Sequence, residues 1–328
     1  MKILKHLSVA VTTALLVASG GAAAQSSGGE TLSIATGGTG GVYYPIGGGF
    51  AEVIGRHLDG YSAVAEVTGA SVENMALIHR GDANMALVLA DTAYQAYHGQ
   101  GQFEGRRQVS NTRALASIYP NVIQIVLPGD SDVQSLQDLK GKRVSVGAPG
   151  SGTEVNSRAV LESNGITQND FNAQRLNFNE TADALRDGDI DAGLWSVGPP
   201  TSSIMSLAAT RPIRVLSLTE EERANAIERE PVFASFTMPG GMYEGVDEPV
   251  TTLGIPNVLI VNADMPEDLA YDLTKLLFEK KDELVTVHAA AENLSVEFTL
   301  DSTPVPLHPG AIRYFEEIGA DVPDRLKP

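Results

Sequence analysis

Residues 32–50 read LSIATGGTGGVYYPIGGGF. The apolar run at 32–35 suits a buried parallel strand. Glycines at 37, 38, 40 and 41 then let the backbone turn sharply and approach a ligand closely, since no Cβ stands in the way. Pro45 fits the first turn of a helix, where a missing N–H costs nothing. Phe50, Val53, Ile54 and Leu58 continue at helical spacing. The reading is strand, glycine-rich loop, helix N-terminus, an arrangement that gathers unsatisfied N–H groups and favours an anion. No Gly-Lys-Ser/Thr closes the loop, so it is not a nucleotide-binding P-loop, and no acidic partner completes a dinucleotide fingerprint. Tyr43 and Tyr44 add apolar faces and phenolic donors beside it.

The same pattern repeats. Residues 63–68 read as a strand ending at Gly69-Ala70-Ser71, where Ser71 is expected to cap a helix running to about 80. Residues 83–90 form another strand, ending at Asp91-Thr92. Strands alternating with helices define an α/β domain, in which ligands lie beyond the carboxyl ends of the strands. Residues 113–119 and 122–127 are two strand-like runs split by Pro120-Asn121, expected to cross between lobes. A strand at 143–148 leads into Pro149-Gly150-Ser151-Gly152-Thr153-Glu154, a second glycine-rich turn with a capping-box spacing from Ser151 to Glu154. A helix is predicted at about 180–187 and a strand at 189–195, ending in Trp195 and Ser196-Val197-Gly198-Pro199-Pro200. Trp195, the sole tryptophan, reads equally as core or as ligand wall. Thr219 is placed as the cap of an acidic helix at 220–230. Residues 251–261 form a long extended stretch broken by Pro256, the return crossing, and residues 266–288 a helix. Two crossings imply two lobes: residues 25–119 plus 258–328, and residues 120–257. A cleft between two α/β lobes joined by two strands is a hinge-closing architecture.

The 328-residue chain is 43% hydrophobic, enough for a substantial core in each of two domains. Its start has Lys2 and Lys5, an apolar run at 7–18 and Ala22-Ala23-Ala24, which reads as a signal peptide over residues 1–24. The exported chain is expected to be soluble and periplasmic, with no direct membrane insertion. It contains no cysteine, which excludes disulfides, thiolate metal sites and a lipid-anchored N-terminal cysteine. With 41 acidic against 23 basic side chains the formal charge is −18, which argues against nucleic acid as a partner.

TGGTGGVYYPIGGG at 36–49, the run from Arg113 through Ser117, Tyr119 and Val122, LKGKRVSVGAPGSGTE at 139–154 and DAGLWSVGPP at 191–200 together resemble the TAXI group of substrate-binding proteins of TRAP transporters. The resemblance spans nearly all of the chain after residue 24, in order. It implies a type II periplasmic binding-protein fold. It also implies capture of a small organic solute, often a carboxylate such as glutamate or 2-oxoglutarate, for delivery to the membrane subunits of a TRAP permease. The site it implies uses Gly40, Gly41, Tyr43 and Tyr44 from the first loop, with Ser71 and Asn74 from the end of the second strand. Ala90, Asp91 and Thr92 close the first lobe's wall. Ser151, Gly152 and Thr153 come from the second lobe, with Trp195, Gly198 and Pro199 opposite. The dedicated arginine of dicarboxylate TRAP receptors has no equivalent that the motifs locate.

No G-x-S-x-G elbow surrounds Ser151 and no H-E-x-x-H occurs. The histidines beyond the N-terminal segment, at 57, 79, 98, 288 and 308, lie far apart in sequence. The chain is therefore read as a binder rather than an enzyme, a monomer with neither metal nor cofactor. A sensing module for a receptor kinase would use the same cleft, and a hydrolase or lyase is the remaining alternative.

Overall fold

The computed structural model of the protein describes residues 29–105 and 108–328, so the signal-peptide assignment lies outside the described residues. The chain alternates strand and helix through β1 (Glu30–Ala35), α1 (Tyr43–His57), β2 (Tyr61–Glu66), α2 (Ser71–Arg80), β3 (Met85–Leu89) and α3 (Ala90–His98). It continues with β4 (Thr112–Pro128), β5 (Arg143–Ser145), α4 (Gly152–Ser163), β6 (Asn172–Gln174), α5 (Phe178–Asp187), β7 (Ala192–Val197) and α6 (Ser202–Ala208). Next come β8 (Ile213–Val215), α7 (Glu220–Arg229), β9 (Ala234–Met238) and β10 (Val250–Asn262). The chain ends in α8 (Glu267–Glu279), α9 (Lys281–Val287), α10 (Val296–Ser302) and α11 (Pro309–Glu317).

The strands run in the order β2-β1-β3-β10-β4-β7-β5-β6, with β8 on β4 and β9 on β10. β1, β2 and β3 are parallel, and β10 runs antiparallel between β3 and β4. β3, MALVL, is buried at every position, as a strand covered on both faces must be. The edge strand β2 instead alternates between half-buried and exposed residues. We call β1–α3 with the C-terminal helices lobe I, and β5–β9 with α4–α7 lobe II. The fold class is thus the expected one, a mixed α/β structure of sheet and helices, its ten strands forming one sheet.

The crossing differs from the expectation. The two runs around Pro120 are one continuous seventeen-residue strand, β4, and Pro256 lies inside the thirteen-residue β10 rather than breaking it. Pro120 and Pro256 face each other across the pair, and the register shifts between Pro256 and Val258. Neither proline has an N–H to give the ladder, so the two sit opposite one another where the pairing is irregular and no bond is wasted. Both strands therefore serve both lobes. Three smaller corrections follow from local chemistry. β5 stops at Ser145, because Gly147 turns away with φ +99. α5 starts two residues early, at Phe178, because Asn177 and Glu180 form a reciprocal capping box. The predicted helix over 266–288 is two helices, α8 and α9, parting at Lys280. Thr219 caps α7 as read, in a box with Glu222.

Candidate functional site

A cavity of about 270 Å³ lies between the lobes, at the carboxyl ends of β1, β3 and β7. Its walls come from both sides. Lobe I contributes Gly37, Gly38, Gly41, Val42 and Tyr43 around the start of α1, Val67 to Ser71 at the start of α2, and Leu89. Lobe II contributes Ala148, Ser151, Gly152 and Thr153 at the start of α4, Asn177 and Phe178 at the start of α5, and Ser196 and Val197 at the end of β7. Asn121 of β4 belongs to the connection between them. Four helices thus turn their N-termini to one space. The first N–H groups of each have no intrahelical partner, and each terminus carries roughly half a positive charge.

The second helix start is unusual. Ala70, not Ser71, is the N-cap, and Ala70 holds φ 75 and ψ −147, a backbone conformation natural to glycine. Ser71 is the first helical residue, and its Oγ accepts from the Leu89 N–H (3.1 Å) instead of capping its own helix. That bond ties the start of α2 to the end of β3. At α4 the expected capping box is half formed. Ser151 Oγ accepts from Glu154 N–H (3.1 Å), while the Glu154 carboxylate takes Gly150 N–H (3.2 Å) and pairs with Arg175 (2.7 Å). Thr153 is 4% exposed, lines the cavity, and its hydroxyl has no hydrogen-bond partner among the described residues.

Beneath the cavity runs a chain of side-chain hydrogen bonds that passes from lobe to lobe. Tyr43 Oη donates to Asn257 Oδ1. Asn257 Nδ2 donates to Asn121 Oδ1 (2.7 Å), and Asn121 Nδ2 to the Ser196 carbonyl (2.8 Å). Ser196 Oγ donates to Asn156 Oδ1 (2.7 Å), and Asn156 Nδ2 to Asp91 Oδ2 (2.5 Å). Asp91 sits fully buried in the first turn of α3, and its other oxygen, Oδ1, has no partner among the described residues. Burial pushes the Asp91 carboxyl up to about 7, with the nearby Glu230 carboxylate adding to the shift. Burial also raises the Tyr43 and Tyr119 phenols far above their ordinary range, so both stay protonated.

Of the residues expected at the site, the structure brings Gly41, Tyr43, Ser71, Ser151, Gly152 and Thr153 to the cavity wall. Gly40 instead packs its backbone on Asn179 and Ser203 of lobe II, where a Cβ would come within 2.2 Å of Asn179 Oδ1. Tyr44 lies on the outer face of α1, 37% exposed. Asn74 is buried support: its amide donates to the carbonyls of Thr36 (2.7 Å) and Leu87 (2.8 Å), pinning the ends of β1 and β3. Ala90, Asp91 and Thr92 are buried behind the wall rather than in it. Trp195 is core: it has no exposure, its Nε1 donates to Ser203 Oγ (3.2 Å), and Phe178 stacks on it at 6.1 Å. Phe178 takes the aromatic position on the wall that Trp195 would have had. Gly198 and Pro199 lie outside the lining, with Gly198 against the Tyr119 ring. The sequence reading passed over Thr68, Asn121, Asn177, Phe178 and Ser196. The Asn177–Glu180 capping spacing was a usable signal for two of them.

The model of the NMT1-like family matches residues 34–319, and the chain belongs to that family. Among solved structures, a protein of Bordetella bronchiseptica RB50 is 19% identical, with 90% of each chain covered and a TM-score of 0.51. A Listeria monocytogenes chain provisionally described as an L-cystine ABC transporter is 13% identical over 83% of this chain and 99% of that one, also with a TM-score of 0.51. The periplasmic aliphatic sulphonate-binding protein SsuA of Escherichia coli is a fainter likeness, 13% identical over 89% and 88%, with a TM-score of 0.47. These are likenesses of fold, and the fold is that of the periplasmic binding proteins. No described helix is long and apolar enough to cross a membrane, and no cluster of His, Asp and Glu among the described residues is arranged to hold a metal.

Proposed function

We propose that the protein is a periplasmic solute receptor, not an enzyme, that encloses a small organic anion between its lobes and hands it to a membrane permease. The observation that carries this reading is the interlobe cavity with four helix N-termini turned into it, two from each lobe. A carboxylate held there would meet the positive helix ends and the hydroxyls of Ser71 and Thr153, each hydrogen bond worth about 0.5–1.5 kcal/mol net. A solute touching both lobes binds the closed form better than the open one, and that difference drives closure about the β4–β10 connection near Pro120 and Pro256. The TAXI-type motifs support a TRAP permease as the partner, with glutamate and 2-oxoglutarate among the carboxylates to try.

The test is a thermal-shift screen of the exported chain against carboxylates, amino acids, sulfonates and sugars. A solute at about 100 times its dissociation constant adds about 2.7 kcal/mol, or a shift on the order of 5 °C for a chain of this size. Stabilisation by an anionic class supports the reading; stabilisation by neutral sugars alone refutes it.

A further inference from the structure

The electrostatics of the cavity wall are one-sided. None of the residues lining it is Lys, Arg, His, Asp or Glu. All four helices present their positive ends to it, and the first-turn glutamates of α2, α4 and α5, which weaken that field, stand outside the lining with their carboxylates on the N–H groups of Gly69, Gly150 and Asn177. Thr153, nine-tenths buried and with its hydroxyl unpartnered, adds a donor free to turn to an acceptor in the same space. Among the described residues the one buried carboxylate nearby, Asp91, stands behind the wall with Oδ2 taken by Asn156. The rest of the lining is apolar: Val67, Ala70, Leu89, Ala148, Phe178 and Val197.

We infer that the solute carries an anionic group and no ammonium group, so that among carboxylates the cavity selects keto, hydroxy or unsubstituted acids and rejects the matching α-amino acids. This deepens the receptor reading and rests on it. A carboxylate entering the cavity exchanges water for N–H and O–H donors in a field that favours it. An ammonium would lose its water, find no carboxylate on the wall, and face the positive ends of four helices. An amino acid brings both groups within one small cavity, so the penalty on the second cannot be avoided by turning the molecule round. Rejection works through repulsion and missing partners as much as through attraction.

The experiment is isothermal titration of the exported chain with matched pairs: 2-oxoglutarate and glutarate against glutamate, pyruvate and lactate against alanine, 2-oxobutyrate against 2-aminobutyrate. We expect the ammonium-free member of whichever pair binds to bind at least tenfold tighter. A second arm uses Asn177→Asp, which keeps a good helix cap but places a negative charge at the cavity mouth; affinity for the preferred acid should fall at least threefold. An amino acid that binds as tightly as its keto partner overturns the inference and leaves the receptor reading standing. Equal affinity in the Asn177→Asp protein overturns the electrostatic argument likewise. Binding by no member of any pair overturns the inference, and the receptor reading is decided separately by the wider thermal-shift screen.

Discussion

Asn156 Nδ2 lies 2.5 Å from Asp91 Oδ2, and the two residues belong to opposite lobes. Asp91 opens α3 of lobe I and Asn156 lies on α4 of lobe II. The bond therefore exists only while the lobes are together. It also carries a titratable group into the interface, where Asn156, Thr92, Tyr43 and Glu230 face it and no cation among the described residues does. Burial, with the Glu230 carboxylate of lobe II adding to it, holds the Asp91 carboxyl at about 7 in this arrangement; if parting the lobes lets water reach the group, its value falls, and closure then takes up a proton. The closed form is favoured below the open-state value, and this advantage is lost as pH rises through about 7. Solute affinity should therefore strengthen as pH falls from 8 to 5, by at most about tenfold per unit below 7. Titrations across that range should show it, and Asp91→Asn should flatten the profile. A pH-independent affinity in the unaltered protein would rule the linkage out.

Gly152 of lobe II packs its backbone closely against lobe I. A Cβ there would come within 2.4 Å of Leu89 Cδ1 and 2.7 Å of Ser71 Oγ. Gly152→Val should leave each lobe folded but hold them apart. Affinity should drop more than tenfold, and small-angle scattering with saturating solute should keep the profile of the open form. Tight binding by this variant would show that closure does not need the contact.

Thr153→Val keeps the side-chain shape and removes only the hydroxyl. A lost hydrogen bond to solute costs about 1 kcal/mol, or roughly fivefold in affinity. Calorimetry should find that loss with an unchanged melting temperature for the free protein. Unaltered affinity would take Thr153 off the contact list.

Ala70 holds a conformation that costs a side-chain-bearing residue of order 1–3 kcal/mol. Ala70→Gly relieves it, at the expense of a looser unfolded chain. The net expectation is a more stable protein, by about 1 kcal/mol, with weaker solute binding because the start of α2 is less firmly set. A fall in melting temperature would contradict the strain.

Trp195 fills the core between β7 and α6 and supports Phe178 from behind. Trp195→Ala should cost about 3–5 kcal/mol through the cavity it leaves. Chemical denaturation would measure it. A cost below 1 kcal/mol would return Trp195 to the solvent-facing wall.

What could be read in the sequence was what is local. The loop at 36–41, the turn at 149–154 and the alternation of strand and helix follow from glycine, proline and apolar spacing, and they locate α1 and α4 at the cavity. What could not be read depends on partners distant in the chain. Asn74 and Asp91 lie in the first turns of α2 and α3, which follow strands as wall residues do, yet Asn74 is drawn inward by the carbonyls of Thr36 and Leu87, and Asp91 by Asn156. Tyr44 differs from Tyr43 by one position, a 100° turn of the helix, which is enough to move it from the cavity to the outer face. Pro120 looked like a break because a lone proline usually is one. Only its pairing with Pro256 lets the strand pass through.

The placement of β10 also governs the order in which the molecule can be completed. β10 sits between β3 and β4, yet it is the last strand to be synthesised. Until residue 262 has left the ribosome, nothing bridges β3 to the lobe I part of β4, and α8 to α11 lie later still. Lobe I is therefore completed from both ends of the chain, although its first residues emerge first. The sheet is joined across β3 and β4 only when synthesis is almost finished.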